Sequence, residues 1–290
     1  MNRIQQHSIK HNKHVRYSIS TNGSLIDKDM LQFLNQHHFS VLLSFDGLAQ
    51  DITKKEGSFG KIISSLENLL ESPNIDLETN SVFTPETLKY LTESVLLIRR
   101  HGAENIHIGF SRISPWDESA LARLKLELER MRNSLLAFFQ KTGDIPLPNF
   151  RPRLGTGPFC CYAGKDRLSL APDETLWGCD LFFDFFKGKK EDPAYSHYCF
   201  GSLDTFIAHH QDRYPTTLSN YSNLCVDKFI TPIQPCSQCE AMNECEVCPI
   251  DNLFLGSAIN CIPPWACRMK RLYIEEKKLF LKEIKRKSKT

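Results

Sequence analysis

The first 159 residues contain no cysteine, and all 11 cysteines of the 290-residue chain fall between Cys160 and Cys267. Thiol-based metal centres and disulfides are thereby excluded from the first half, and the second half carries a concentration that scattered core thiols do not produce. Long apolar runs are also missing. Met1 to Arg16 is polar and rich in His and Lys, with nothing resembling a signal peptide or membrane span. The expectation is a cytoplasmic protein, where a reducing environment disfavours disulfides and makes metal ligation the better use of cysteine. A charge excess is lacking too. Lys plus Arg number 36 against 34 for Asp plus Glu, and the net charge of +2 offers no electrostatic case for nucleic acid or a membrane surface.

Hydrophobic residues make up 41% of the chain, enough for one large core or two moderate ones. The first half alternates β-rich runs with helical periodicity. Strands are expected at Val15 to Thr21, Phe39 to Phe45, Leu77 to Phe83 and Asn105 to Phe110. Helices are expected at Leu25 to His37, Phe59 to Leu70 and Glu86 to Arg100. Such alternation implies an α/β fold of parallel βαβ units with right-handed crossovers.

Thr84-Pro85 and Ser114-Pro115, the latter with Asp117 three residues after Ser114, read as helix starts, a capping hydroxyl followed by a residue with preset φ. The second opens a long helix with Leu121, Leu124, Leu128, Met131, Leu135 and Phe138 on one face. Pro146, Pro148, Pro152 and Pro158 then mark a connection between Gly143 and Gly157, dividing the chain into domains 1–145 and 146–290. A final amphipathic helix is expected from Met269, with Leu272, Tyr273, Phe280 and Ile284 inward and a solvated basic end at Lys285 to Lys289.

Cys236-Ser-Gln-Cys239 and Cys245-Glu-Val-Cys248 are two close pairs separated by five residues. Two residues between cysteines let a tight turn aim both sulfurs at one metal centre. A zinc ribbon normally places a longer loop, on the order of fifteen residues, between its pairs. A zinc-stabilised interaction module therefore stays open as the alternative, but it leaves Cys160, Cys161, Cys179 and Cys267 unused. Leu168 to Cys179 reads as a hairpin turning at Pro172-Asp173-Glu174, which would return Cys179 toward Cys161. Cys267 opens the last helix, whose positive end favours thiolate. Cys199, Cys225 and Cys261 fit neither pattern and read as core thiols.

A cysteine before a hairpin, another closing it, two pairs in succession and a lone cysteine before a terminal helix resemble the SPASM domain of radical S-adenosylmethionine enzymes. The resemblance is to the peptide and protein maturases, of the anaerobic sulfatase-maturating kind. It implies a small cysteine-rich α+β domain with two auxiliary 4Fe-4S clusters: Cys161, Cys179 and Cys248 on the first, with Cys160 as a candidate fourth ligand, and Cys236, Cys239, Cys245 and Cys267 on the second. Cys245 and Cys248 stand one residue closer than is usual in that family, and Glu174 replaces its hairpin glycine.

Ser20-Thr21-Asn22-Gly23 and Ser44-Phe45-Asp46-Gly47 resemble the ends of the third and fourth strands of the radical S-adenosylmethionine partial barrel. The chain would then be a partial (β/α) barrel lacking its first strands and the three-cysteine loop of the catalytic cluster. By this resemblance Ser44, Asn22 and Asn80 would contact S-adenosylmethionine, provided the missing N-terminal part is supplied. The implied partners are a peptide or protein substrate and a reductase or partner chain. Lacking two strands also predicts an open sheet edge near Val15, to be met by a partner, by residues 1 to 14, or by poor solubility.

Overall fold

A computed structural model describes residues 2–111, 114, 116–152 and 157–287. The chain divides into two compact units. The first comprises residues 1–114, 122–152 and 276–290, the second residues 115–121 and 153–275.

In the first unit, helix α1 (Asn2–Lys10) precedes a βα succession: β1 (Ser18–Thr21), α2 (Lys28–Gln36), β2 (Ser40–Ser44), the short α3 (Gln50–Thr53), α4 (Ser58–Leu70), β3 (Asp76–Phe83), α5 (Leu91–Arg100), β4 (Ile106–Phe110) and all but the first turn of α6 (Glu118–Thr142). The four strands form one sheet in sequence order, every neighbouring pair parallel. The expected elements are present with ends moved by a few residues. Only one face of the sheet is densely packed: Val41, Leu43, Phe45, Thr79, Ser81 and Phe83 alternate into the core, and Ile62, Leu66 and Leu69 of α4 and Val95 and Ile98 of α5 are buried with them. On β2 and β3 the alternate residues Leu42, Ser44, Glu78 and Asn80 are half-exposed. Strand β1 is an edge, and Ser18, Ile19 and Ser20 on it remain exposed.

Two helix starts differ from the sequence reading. Thr84 and Thr87 bond one another, the Thr84 amide donating to Thr87 Oγ1 at 2.9 Å, so Thr84-Pro85 closes a turn and a 3-10 segment intervenes before α5. Asp117, rather than Ser114, caps α6 by accepting the Ala120 amide at 2.7 Å. Pro115 lies outside the described residues. A carboxylate three residues before the donating amide satisfies an orphan N–H and also meets the positive helix end, which a hydroxyl does less well.

The second unit contains β5 (Ser169–Leu170), β6 (Thr175–Trp177), α7 (Asp180–Phe186), α8 (Tyr195–Tyr198), β7 (Cys199–Ser202), α9 (Leu203–Ser222), α10 (Pro249–Phe254) and the first half of α11 (Pro264–Lys287). The three strands form an antiparallel sheet. The expected hairpin turn is there, and Glu174 holds the left-handed φ of 63° that would suit glycine. An aromatic core fills the unit: Trp177 stacks on Phe186 with centroids 5.7 Å apart, and Tyr221 meets Phe182 at 5.0 Å and Tyr198 at 5.2 Å. Helix α11 starts five residues before the expected Met269. Its later part belongs to the first unit, where Glu276 and Glu283 both pair with Arg132 of α6 at 2.8 Å.

Candidate functional site

Ser44 and Asn80 are register partners on β2 and β3, and Asn80 is the register partner of His107 on β4. Beside them, Glu78 and His107 bond at 3.0 Å. The structure thus sets Ser44 and Asn80 side by side on the half-exposed face of the sheet. Asn22 is placed differently. Its Oδ1 accepts from the Ser24 amide at 3.0 Å and from Ser24 Oγ at 2.8 Å, closing a turn past the end of β1. The rest of the Ser44-Phe45-Asp46-Gly47 motif is structural. Asp46 is 1% exposed and accepts from the Val82 amide at 2.7 Å and Thr53 Oγ1 at 2.5 Å. Gly47 has φ of 58°, and a Cβ there would strike Ser94 of α5.

In the second unit, Cys161, Cys179 and Cys248 all pack against the aromatic core. The hairpin returns the chain as expected: the Gly164 amide donates to the Gly178 carbonyl at 3.3 Å, linking the turn after Cys161 to the residue before Cys179. Tyr221 fixes this crossing. Its hydroxyl accepts from the Gly178 amide at 3.0 Å and donates to the Tyr198 carbonyl at 2.7 Å. Gly178 has no room for a side chain, since a Cβ would stand 2.6 Å from the tyrosine ring and 2.7 Å from the Gly164 nitrogen. Burial raises the pKa of Cys161, partly offset by the Ala163 amide and the Lys165 and Arg167 charges. It raises that of Cys179 as well, with Asp180 adding to the rise and the Leu181 amide and Arg167 opposing it.

Cys160 is not with them. It forms a disulfide with Cys225, across an antiparallel bridge whose Cα atoms are 4.0 Å apart. While that bond stands, its sulfur cannot act as a thiolate ligand, and Cys225 is not the free core thiol that its isolation in sequence suggested. Cys199 does sit in the core, 4% exposed. Cys261 is half-buried.

Cys236, Cys239, Cys245 and Cys267 line a single cavity, with Val226, Met242, Val247, Ile262 and Ile274 as its apolar walls. One 3-10 turn lies within the first pair and a second lies between the two pairs, and Cys267 enters from the first turn of α11. Burial is the main cause of raised thiol pKa values here, to about 11 at Cys236 and about 12 at Cys245, and the neighbouring thiols push both further in the same direction. Among the described residues, no three of these side chains converge on a single point as ligands of one ion would. Arg271 Nη2 donates to Cys239 Sγ at 3.4 Å, and Lys270 also lines the cavity. The two cations were legible only as positions three and four after Cys267 on a helix. Tyr221, forty-two residues beyond Cys179, left no local signal at all.

Parallel βαβ units followed by a cysteine-lined antiparallel unit have a counterpart among solved structures. The fold is similar to that of anSMEcpe. That protein is an anaerobic sulfatase-maturating enzyme, a radical S-adenosylmethionine SPASM enzyme. Its structure with bound AdoMet matches at TM-score 0.67 and 15% identity, covering 98% of this chain and 76% of that one. With AdoMet and the Cp18Cys peptide the values are TM-score 0.67, 16% identity, and 98% and 80% coverage. With the Kp18Cys peptide they are TM-score 0.67, 15% identity, and 97% and 79% coverage. No protein-family model and no curated protein matches the sequence. At this identity the likeness to anSMEcpe is one of fold. No helix among the described residues is long and apolar enough to cross a membrane.

Proposed function

We propose that this chain is an iron-sulfur protein of the radical S-adenosylmethionine maturase type, with a partial (β/α) barrel in residues 1–145 and a SPASM domain in residues 146–290. The observation that carries this reading is the cavity between Cys236, Cys239, Cys245 and Cys267. A single zinc draws its sulfurs to about 2.3 Å from one point. The thiolates of a four-iron cube each bind a different iron and stand around a volume. A thiol-lined cavity with apolar walls fits the second arrangement. It supports a cluster on those four residues and, through the shared fold, another on Cys161, Cys179 and Cys248. Cys160 becomes available to the latter only when its disulfide is reduced to two thiols.

Such clusters would supply one-electron chemistry and an electrophilic iron where a ligand position is open. The chain's own contribution is to bury the thiols, exclude water with the aromatic core and hold the hairpin crossing through Tyr221. The half-exposed row of Ser44, Asn80 and His107 offers polar contacts to a ligand on the first unit. We assign it, with Asn22 in the turn past the end of β1, to S-adenosylmethionine or to a peptide substrate, such as the neighbouring structures bind.

The test is the iron, sulfide and zinc content of anaerobically purified protein beside a Cys239→Ala, Cys248→Ala variant. About eight irons per chain, the content of two four-iron clusters, should fall sharply in the variant. One or two zincs without sulfide would overturn the reading in favour of a zinc-stabilised interaction module.

A further inference from the structure

Helix α11 carries Cys267, Lys270, Arg271 and Ile274 at steps of three and four, the spacing of one helix face. All four line the cavity that also holds Cys236, Cys239 and Cys245. A single helix therefore delivers one thiol and two cations to the same space. Arg271 reaches across to Cys239, its Nη2 lying 3.4 Å from the sulfur. Lys270, one residue earlier on the helix, lines the same cavity as Cys245. Among the described residues that line the cavity there is no carboxylate, so the thiols are the groups there that can pair with the two cations.

We propose that Arg271, with Lys270 beside it, is a positioning residue that holds the Cys239 thiolate and sets the reduction potential of a cluster on Cys236, Cys239, Cys245 and Cys267. The proposal rests on the cluster reading above. One-electron reduction adds a negative charge to a group already made anionic by its thiolates. A guanidinium hydrogen-bonded to a ligand sulfur favours the more negative state and raises the potential, as hydrogen bonds to cluster sulfurs and net charge generally do. Arg271 is itself exposed, so the fork reaches the sulfur from the solvent side and can be replaced without opening the core.

The experiment is an anaerobic titration of the full chain, with dithionite as the one-electron reductant and spin resonance as the readout. Wild type, Arg271→Gln and Arg271→Lys are compared after their iron and sulfide are measured. With iron retained, the glutamine variant should be about tenfold harder to reduce at one of the two clusters, a fall of ~59 mV for a one-electron couple. The lysine variant should recover part of that shift, and the other cluster should stay unmoved. Iron lost from one site in the glutamine variant but kept in the lysine variant would also place the charge in the site. Full iron in all three proteins with unchanged potentials would overturn the role of Arg271 and leave the cluster reading intact. Absence of iron from the wild type would overturn both.

Discussion

Replacing Tyr221 by Phe removes one oxygen from the interior of the second unit and leaves every ring contact in place. That oxygen serves two buried backbone groups, the Gly178 amide at 3.0 Å and the Tyr198 carbonyl at 2.7 Å. Tyr221 is fully buried, and burial raises its hydroxyl pKa far above the ordinary range, so no water replaces the lost partner and the group acts as a neutral hydroxyl. Each orphaned buried group costs about 1–3 kcal/mol, and discounting for relaxation the variant should lose about 2–4 kcal/mol. All 3 tryptophans, Trp116, Trp177 and Trp265, belong to the second unit, so tryptophan fluorescence in urea reads its unfolding directly. The midpoint should fall with little change in slope. Because Gly178 precedes Cys179, alkylation of Cys179 in metal-free protein should also quicken. A Phe variant with the wild-type midpoint and the wild-type alkylation rate would refute the claim that this hydroxyl holds the crossing.

Gly47→Ala should destabilise the first unit by more than about 2 kcal/mol, since it combines a left-handed φ of 58° with a side chain driven into Ser94; loss of helical circular dichroism at lower urea checks it, and a neutral result would sink the structural reading of the motif. Metal-free protein should lose stability as pH rises above 9. The unfolded Cys245 thiol titrates from its ordinary value of 9.0, whereas the folded one is pushed up to about 12 by burial, so stability is complete below pH 9 and is lost as pH climbs through 12. Urea midpoints between pH 8 and 11 measure the slope, and Cys245→Ala should flatten it; an unchanged slope would mean that burial of this thiol is not its cause.

How much of the protein was legible depends on how local the determining contacts are. The parallel sheet followed from period-two and period-3.6 patterns, which depend only on which face of each segment is apolar. The hairpin before Cys179 and the closeness of Cys236 to Cys239 followed from short spacings, because a turn of two or three residues fixes where its ends can go; that Cys267 joins Cys236, Cys239 and Cys245 was implied only by the resemblance to the SPASM domain. Helix starts were less legible. Thr84 and Ser114 have the chemistry of caps, but capping is decided by which amides lie within reach once the strand before them has ended, and Asp117 lies closer to the start of α6.

Three features were settled by the tertiary structure alone. Cys160 pairs with Cys225, 65 residues away, because the two segments meet as an antiparallel bridge, and no property of either sequence position announces a partner at that separation. Asp46, part of the Ser44-Phe45-Asp46-Gly47 motif, is buried against the Val82 amide of the adjacent strand, a contact that exists only once β2 and β3 are in register. Tyr221 becomes the clasp of the hairpin only when α9 returns it to Gly178. The sequence by itself determined the alternating α/β order, the segregation of the thiols and their short-range grouping, since these depend on local periodicity and turn geometry. Which thiols meet, which carboxylate is buried and which cation faces a sulfur were decided by long-range packing, where the free energy depends on neighbours brought from far along the chain.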